Sequence, residues 1–253
     1  MVIKKLFSPS SQQQLRVLMY HKISESGTGD FLTVPAAQLE EQFSFLKKQG
    51  FTPVLLSDLV AFTEQRQPLP SKPVLITFDD GYRNNYTVMY PLLEKYGMKA
   101  NIFLVSAFLQ HDGMSNDVRN DNYLSVYDIK AMDPQLVEYG LHSLDHKSYK
   151  ELTPQQMDED IVKSKAMLKR LGITFQPCLA FPFGAYPKRD VAKQYEFFET
   201  LRFNNISLAF RIGNRLNTLP LHNPLLVQRL DIRGDTSLDK FTRLLARGKT
   251  LFA

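Results

Sequence analysis

Residues 73–81 read Pro73-Val74-Leu75-Ile76-Thr77-Phe78-Asp79-Asp80-Gly81. The first six form an apolar run without alternation, followed abruptly by two carboxylates and a glycine. A strand of this kind is buried on both faces, as in a parallel sheet covered by helices. Working outward, similar runs recur at 15–20 (LRVLMY), 52–56 (TPVLL), 100–105 (ANIFLV), 136–143 (LVEYGLHS), 177–183 (PCLAFPF), 206–212 (ISLAFRI) and 225–232 (LLVQRLDI). Helical patterns lie between them. Residues 34–50 carry Leu39, Phe43 and Leu46 at spacings of four and three and stop at Gly50; Ser57 is read as the cap of the next helix. A third helical stretch runs from the carboxylates to Gly97. A fourth starts at Thr153-Pro154-Gln155-Gln156, a Thr cap with Pro at the first position and Gln at the third, and presents Met157, Ile161, Ser164, Leu168 and Leu171 inward. Residues 67–73 are a Pro-rich loop, and 110–123 a polar excursion over one end of the fold. Seven or eight strands interleaved with helices predict an α/β fold with a parallel sheet, and function at the C-terminal ends of its strands.

The chain of 253 residues is long enough to bury a substantial core and suits one α/β domain over 1–253, with its core at about 15–241. A formal net charge of +5 comes from scattered Lys and Arg, the densest groups being pairs such as Lys47–Lys48. No basic run or aromatic RNA-binding signature accompanies it, so nucleic acid is not an expected partner. The single cysteine, Cys178, excludes an internal disulfide and a thiolate zinc site. Its apolar neighbours mark it as a small buried hydrophobe. The opening residues lack the apolar segment of an export signal, and no run approaches the roughly 20 apolar residues of a transmembrane span. The chain as written is therefore expected to be soluble and cytoplasmic, unless a longer precursor carries a signal.

Three polar clusters follow buried strands: Asp79-Asp80, His142-Ser143-Leu144-Asp145-His146, and Phe183-Gly184-Ala185-Tyr186. A fourth is Tyr20-His21. Adjacent carboxylates at the end of an apolar strand repel unless a cation offsets them, and a divalent metal is one such partner; a helix cap beside a solvated neighbour is the plainer alternative. Two imidazoles four residues apart fit one metal if they share a helical turn, whereas a satisfied core histidine or a surface pair needs no ion. Together, one Asp and two His would form a three-ligand N/O site with an open position for water, leaving the other Asp free as a base.

Thr77-Phe78-Asp79-Asp80-Gly81 resembles the first motif of the NodB-homology polysaccharide deacetylases, and His142-Ser143-Leu144-Asp145-His146 resembles their second. Val17 to His21 and Phe43 to Leu59 are similar to the opening of the branch that contains poly-N-acetylglucosamine deacetylases. The resemblance implies a distorted (β/α) barrel of about seven parallel strands. It implies Asp80, His142 and His146 as ligands of zinc or a similar divalent ion, and Asp79 as general base. Ala180-Phe181-Pro182-Phe183-Gly184 matches the third motif, in which the Phe183 N–H would help hold the oxyanion. The implied substrate is an N-acetylated glycan. In three places the chain departs from the pattern. Ala180 stands where an Arg commonly braces the base, there is no tryptophan, and Gln228-Arg229-Leu230-Asp231-Ile232 stands in the region of the late Leu-x-His motif that carries the acid.

His21 and His222 are the candidate acids, His21 at a strand end and His222 in a loop before Asn223-Pro224; His111 reads as a surface residue. Tyr82, Tyr186 and Arg229 are candidates for sugar contact, with packing as the alternative. Two competing functions use the same residues: a deacylase of a lipid-linked or small-molecule amide, and a non-catalytic glycan-binding protein on a deacetylase scaffold.

Overall fold

The computed structural model describes residues 13–27, 29–111 and 122–249. Eleven strands are present among them: β1 (Gln14–Tyr20), β2 (Lys22–Ser24), β3 (Thr33–Pro35), β4 (Thr52–Val54), β5 (Pro73–Asp80), β6 (Ala100–Leu104), β7 (Val137–Leu141), β8 (Cys178–Ala180), β9 (Leu208–Ile212), β10 (Asn217–Thr218) and β11 (Val227–Asp231). The order β1-β11-β9-β8-β7-β6-β5 closes on itself through β1–β5, giving a seven-stranded parallel barrel. Strand β4 adds outside the ring on β5, and β10 pairs antiparallel with β1. Helices α1 (Ala36–Lys48), α2 (Leu56–Gln65), α3 (Tyr90–Tyr96), α4 (Val126–Ala131), α5 (Pro154–Arg170), α6 (Val191–Phe203) and α7 (Leu238–Arg247) complete the (β/α) plan. The polar stretch 110–123 lies for the most part outside the described residues.

The period-2 pleat sorts each barrel strand into two faces. Leu15, Val17, Leu75, Phe103, Cys178, Ala180, Leu208, Phe210 and Val227 pack with one another inside the ring. Their neighbours Leu18, Val74, Ile76, Phe78, Ile102, Leu179, Ala209 and Leu230 point outward and pack beneath the helices. Both faces are therefore dry, which is why the strands read as unbroken apolar runs. Cys178 sits inside the barrel with no exposure, and burial pushes its thiol pKa up. It packs as a small hydrophobe.

One local expectation changes. Helix α2 begins at Leu56, not after a Ser57 cap. The Asp58 carboxylate accepts from the Leu55 N–H at 2.9 Å, while the Ser57 N–H donates to Glu138. Helix α5 keeps its expected start: Thr153 Oγ1 accepts from Gln156 N, Gln156 Oε1 accepts from Thr153 N, and Pro154 occupies the first turn. Its buried face adds a charged residue, Asp160, and Leu171 falls at the C-cap. Among the described residues no helix is long and apolar enough to cross a membrane.

Candidate active site at the C-terminal ends of the barrel strands

Strand β5 continues through both carboxylates, and all eight of its residues are buried. Continuing the alternation of Leu75 and Thr77, Asp79 points into the barrel. Asp80 then adopts φ 73° and Gly81 φ 75°, so the chain turns out of the sheet within one residue. Asp tolerates this left-handed region better than most side chains, and Gly enters it freely. The register aligns Asp80 with Leu104 and Leu104 with Leu141, so His142 follows at the level of Asp80.

His142 and His146 do not share a helical turn. Residues 142–146 form a loop after β7 with Ser143 at φ 69° and His146 at φ 62°. Those left-handed positions, not a 3.6-residue period, bring the imidazoles to a centroid separation of 5.0 Å. Of the seven non-glycine residues with positive φ among the described residues, four (Asp80, Ser143, His146 and Phe183) lie at this site. Sparsely populated backbone of this sort persists where surrounding contacts over-determine it. Here the contacts are visible. Ser143 Oγ accepts from His146 N at 2.7 Å, and the Ser143 carbonyl accepts from Ser106 N. Asp160, from α5, accepts from Leu144 N and from the Tyr149 hydroxyl at 2.6 Å. The buried carboxylate in that helix thus holds the His loop.

Asp80 Oδ1 lies 3.4 Å from His142 Nε2 and 3.3 Å from His146 Nε2, and one donor atom from each of the three residues falls within 4.8 Å of the others. Asp80 Oδ1 is buried without a hydrogen-bond partner. His142 Nδ1 faces the Ala180 carbonyl at 2.8 Å. With Nδ1 as the donor there, Nε2 keeps its lone pair for the cluster. For ligand bonds of about 2.0–2.2 Å, donor separations of roughly 3.4 Å are the edges of a tetrahedron. An orphaned oxygen, two inward imidazole nitrogens and matching separations fit a divalent metal.

Asp79 has a partner the sequence did not reveal. Arg229 Nη1 donates to Asp79 Oδ1 at 2.6 Å and Nη2 to Oδ2 at 2.7 Å. Arg229 has no solvent exposure, and its guanidinium lies 5.6 Å from the Phe103 ring centroid. The side chain crosses the barrel interior from β11 to β5, past the intervening β1. It takes no part in an exposed sugar-contacting surface, so its reading as a sugar-contact candidate is corrected. It supplies the cation that Ala180 lacks. Burial pushes the Asp79 carboxyl pKa up, but the charges of Arg229, His142 and His21 outweigh it and hold the group below the usual carboxylate range. Asp80 also sits below that range, burial again being outweighed by His142 and its neighbours. His142 is shifted upward: burial opposes the charged form, and Asp79 and Asp80 overcome it. His146 is shifted downward by burial and by His142.

His21 follows β1 one residue beyond the Tyr20–Phe78 pair, level with Asp79. Burial lowers its pKa, while Asp79 and Asp80 pull the other way. Asn85 Nδ2 fixes its backbone by donating to the His21 carbonyl at 2.9 Å. The structure does not bring His222 to this group. It is exposed and precedes β11, at the opposite end of the barrel from the C-terminal strand ends. Phe183 is 65% exposed at φ 59°, with its ring 4.6 Å from that of His146. Tyr186, a sugar-contact candidate, is mostly packed and also borders the hollow beside Phe183. Its ring is buried against Phe181, Phe197 and Phe198, and its hydroxyl accepts from Arg211 Nη1 at 3.0 Å. Tyr82 is nearly buried and stacks on Tyr123 at 5.0 Å beside Asp80, with Lys22 Nζ 4.5 Å above its ring.

A model of the polysaccharide deacetylase family matches residues 66–198, which carry the carboxylate pair, the His loop and the Phe183 turn. The chain belongs to the polysaccharide deacetylase family. Among the family's curated members, Bacillus subtilis YxkH, whose name describes a polysaccharide deacetylase, is 32% identical over 173 residues, covering 68% of this chain and 58% of that protein. The poly-β-1,6-N-acetyl-D-glucosamine N-deacetylase of Escherichia coli is 32% identical over 80 residues, covering 31% of this chain and 12% of that protein. The chain therefore spans little more than half of the first relative and a small part of the second. The solved deacetylase PplD of Streptococcus pyogenes, in complex with acetate, superposes with a TM-score of 0.77 at 19% identity, covering 93% of this chain and 99% of that one. That likeness shows a shared deacetylase barrel fold.

Proposed function

We propose that this chain hydrolyses the acetamide of an N-acetylglucosamine-type unit in a glycan, yielding acetate and the free amine. The observation that carries the reading is a buried carboxylate, Asp79, locked in its ionised form by Arg229 directly beside the three-donor cluster of Asp80, His142 and His146. A pure binding site has no need of that second carboxylate. The E. coli relative, named a poly-β-1,6-N-acetyl-D-glucosamine N-deacetylase, supports the sugar class.

Asp80, His142 and His146 would hold a divalent ion, zinc by the mixed N/O character of the donors, which when bound supplies positive charge that polarises an acyl oxygen and acidifies water. Asp79 accepts the proton of the attacking water. Each of its oxygens has two lone pairs, and Arg229 occupies one on each, so accepting capacity remains while the carboxylate plane stays fixed. In this reading the Phe183 N–H, in the segment that resembles the family's third motif, donates to the developing oxyanion. His21 protonates the departing nitrogen as the C–N bond breaks. Among the described residues it is a histidine outside the metal triad that follows β1 level with Asp79.

The zinc-loaded protein is expected to release acetate from N-acetylglucosamine oligomers, with activity lost on chelation and regained on adding Zn²⁺. A fully zinc-loaded sample that releases no acetate from any acetylated oligosaccharide would sink the proposal. The role of His21 has its own signature. His21→Asn should lower amide turnover by about 10²-fold or more, because an amine leaves only when protonated. It should spare hydrolysis of 4-nitrophenyl acetate, whose leaving group needs no proton. Equal losses on both substrates would assign His21 a structural role instead.

A further inference from the structure

The chain's Lys and Arg are scattered in sequence, but the barrel gathers five of them beside the site. Lys150 follows β7, Lys188, Arg189 and Lys193 follow β8, and Arg211 is the penultimate residue of β9. These are adjacent C-terminal strand ends, next to the Phe183 turn. A cavity of about 590 Å³ is lined by Phe183, Tyr186, Lys150, Lys188, Arg189 and Lys193. A second hollow of about 580 Å³ shares Lys150, Phe183 and Ala185 with it and reaches His146. The two form one trough leading from a donor of the metal cluster, past the exposed Phe183 ring, to the cations.

Among the described residues none of these five cations lies within 4.0 Å of a carboxylate oxygen. Asp190 and Glu151 are the carboxylates that line the trough, fewer than the cations, and Asp190 accepts from the Lys193 backbone N–H as the cap of α6. The cations instead crowd one another. Lys188 Nζ stands 5.4 Å and Arg211 Cζ 5.2 Å from the Tyr186 ring centroid, and partial burial together with the charges of Arg211 and Lys150 depresses the Lys188 pKa. Like charges held together without a counterion cost stability in the free protein, and that cost is recovered when an anion enters.

We infer that this trough is a subsite for an anionic substituent, a phosphate or a carboxylate, on a sugar neighbouring the one deacetylated, so that the substrate is an anionic glycan. The inference rests on the deacetylase reading and narrows its substrate class. A neutral chain would engage only the Phe183 rim and leave the cations unpaired.

The test compares N-acetylglucosamine oligomers of one length that are neutral, carry one phosphate, or carry one carboxylate. With the zinc-loaded wild type in dilute buffer, kcat/KM for an anionic oligomer should exceed the neutral value by about tenfold or more, with the gain in KM. Raising salt to about 1 M, where the screening length falls to about 3 Å, should bring the ratio near one. The variant Lys150→Gln/Lys188→Gln/Lys193→Gln should show a ratio near one at all salt concentrations. Which anionic arm is preferred distinguishes a phosphorylated glycan from a carboxylated one. A wild-type ratio of one, or a preference unchanged in the triple variant, overturns the subsite. Acetate from no oligomer overturns the deacetylase reading instead. In that event, calorimetric binding of the phosphorylated or carboxylated oligomer by wild type but not by the triple variant still supports the subsite, and no difference overturns it.

Discussion

Asp79→Asn is expected to lower acetate release by a factor of about 10²–10⁴, the usual contribution of a positioned general base, while the zinc content stays near that of the wild type. The substitution keeps the shape of the side chain and removes its ability to take a proton. Metal content separates this role from that of its neighbour. Asp80, with its orphaned Oδ1 between two imidazole nitrogens, is the residue whose loss should empty the cluster. The measurements are the single-turnover rate of deacetylation and zinc stoichiometry by elemental analysis. Native turnover in the Asn variant would remove Asp79 from the chemistry, and loss of zinc would reassign it as a ligand.

The second large effect falls on stability. Arg229→Met is expected to destabilise the fold by about 3–5 kcal/mol, because it leaves a buried carboxylate without its cation. Arg229 and Asp79 are almost wholly buried, and both of their hydrogen bonds are short. The loss depends on pH in a defined direction. Burial raises the Asp79 pKa, but the attraction of Arg229 and the nearby histidines is greater, so the folded-state value lies below the unfolded one. The contribution of the ion pair is therefore complete above about pH 4. It fades as pH falls through the lower, folded-state value. Urea unfolding of wild type and variant should accordingly show the widest gap near neutrality and a narrowing gap in acid. The double variant Asp79→Leu/Arg229→Met should recover most of the stability and none of the activity, since an apolar pair of similar volume replaces a buried ion pair at little cost. A single Met variant as stable as wild type at pH 7 would mean that the pair contributes nothing to the fold.

Arg229 also marks the boundary of sequence reasoning. In Val227-Gln228-Arg229-Leu230-Asp231 the alternation does put Arg229 on the same face as Val227, a charge inside an apolar strand, and that was the available signal. What it meets there depended on barrel closure. Arg229 is 150 residues from Asp79 and two strands away around the ring. The same holds for Asp160: its place on an amphipathic helix does not signal that α5 packs its carboxylate under the His loop. His222 failed as a candidate for the converse reason: the sequence gives no sign of which end of the barrel a loop occupies until the strand order is known.

By itself the sequence determined the local features of this protein. Doubly buried strands require continuous apolar runs, a capping box requires Thr153 and Gln156, and the turn after β5 requires residues that tolerate positive φ, such as Asp80 and Gly81. Resemblance to the family's first two motifs was what implied that Asp79, Asp80, His142 and His146 lie together. Only the tertiary structure decided how they meet and what surrounds them. The imidazoles converge through left-handed loop residues, Asp79 is braced by Arg229 from β11, and scattered lysines gather along one trough. Each of these rests on long-range juxtaposition at the strand ends of a closed barrel. Electrostatic coupling acts through space, and neighbours in space are fixed by closure and register, which local periodicity does not encode.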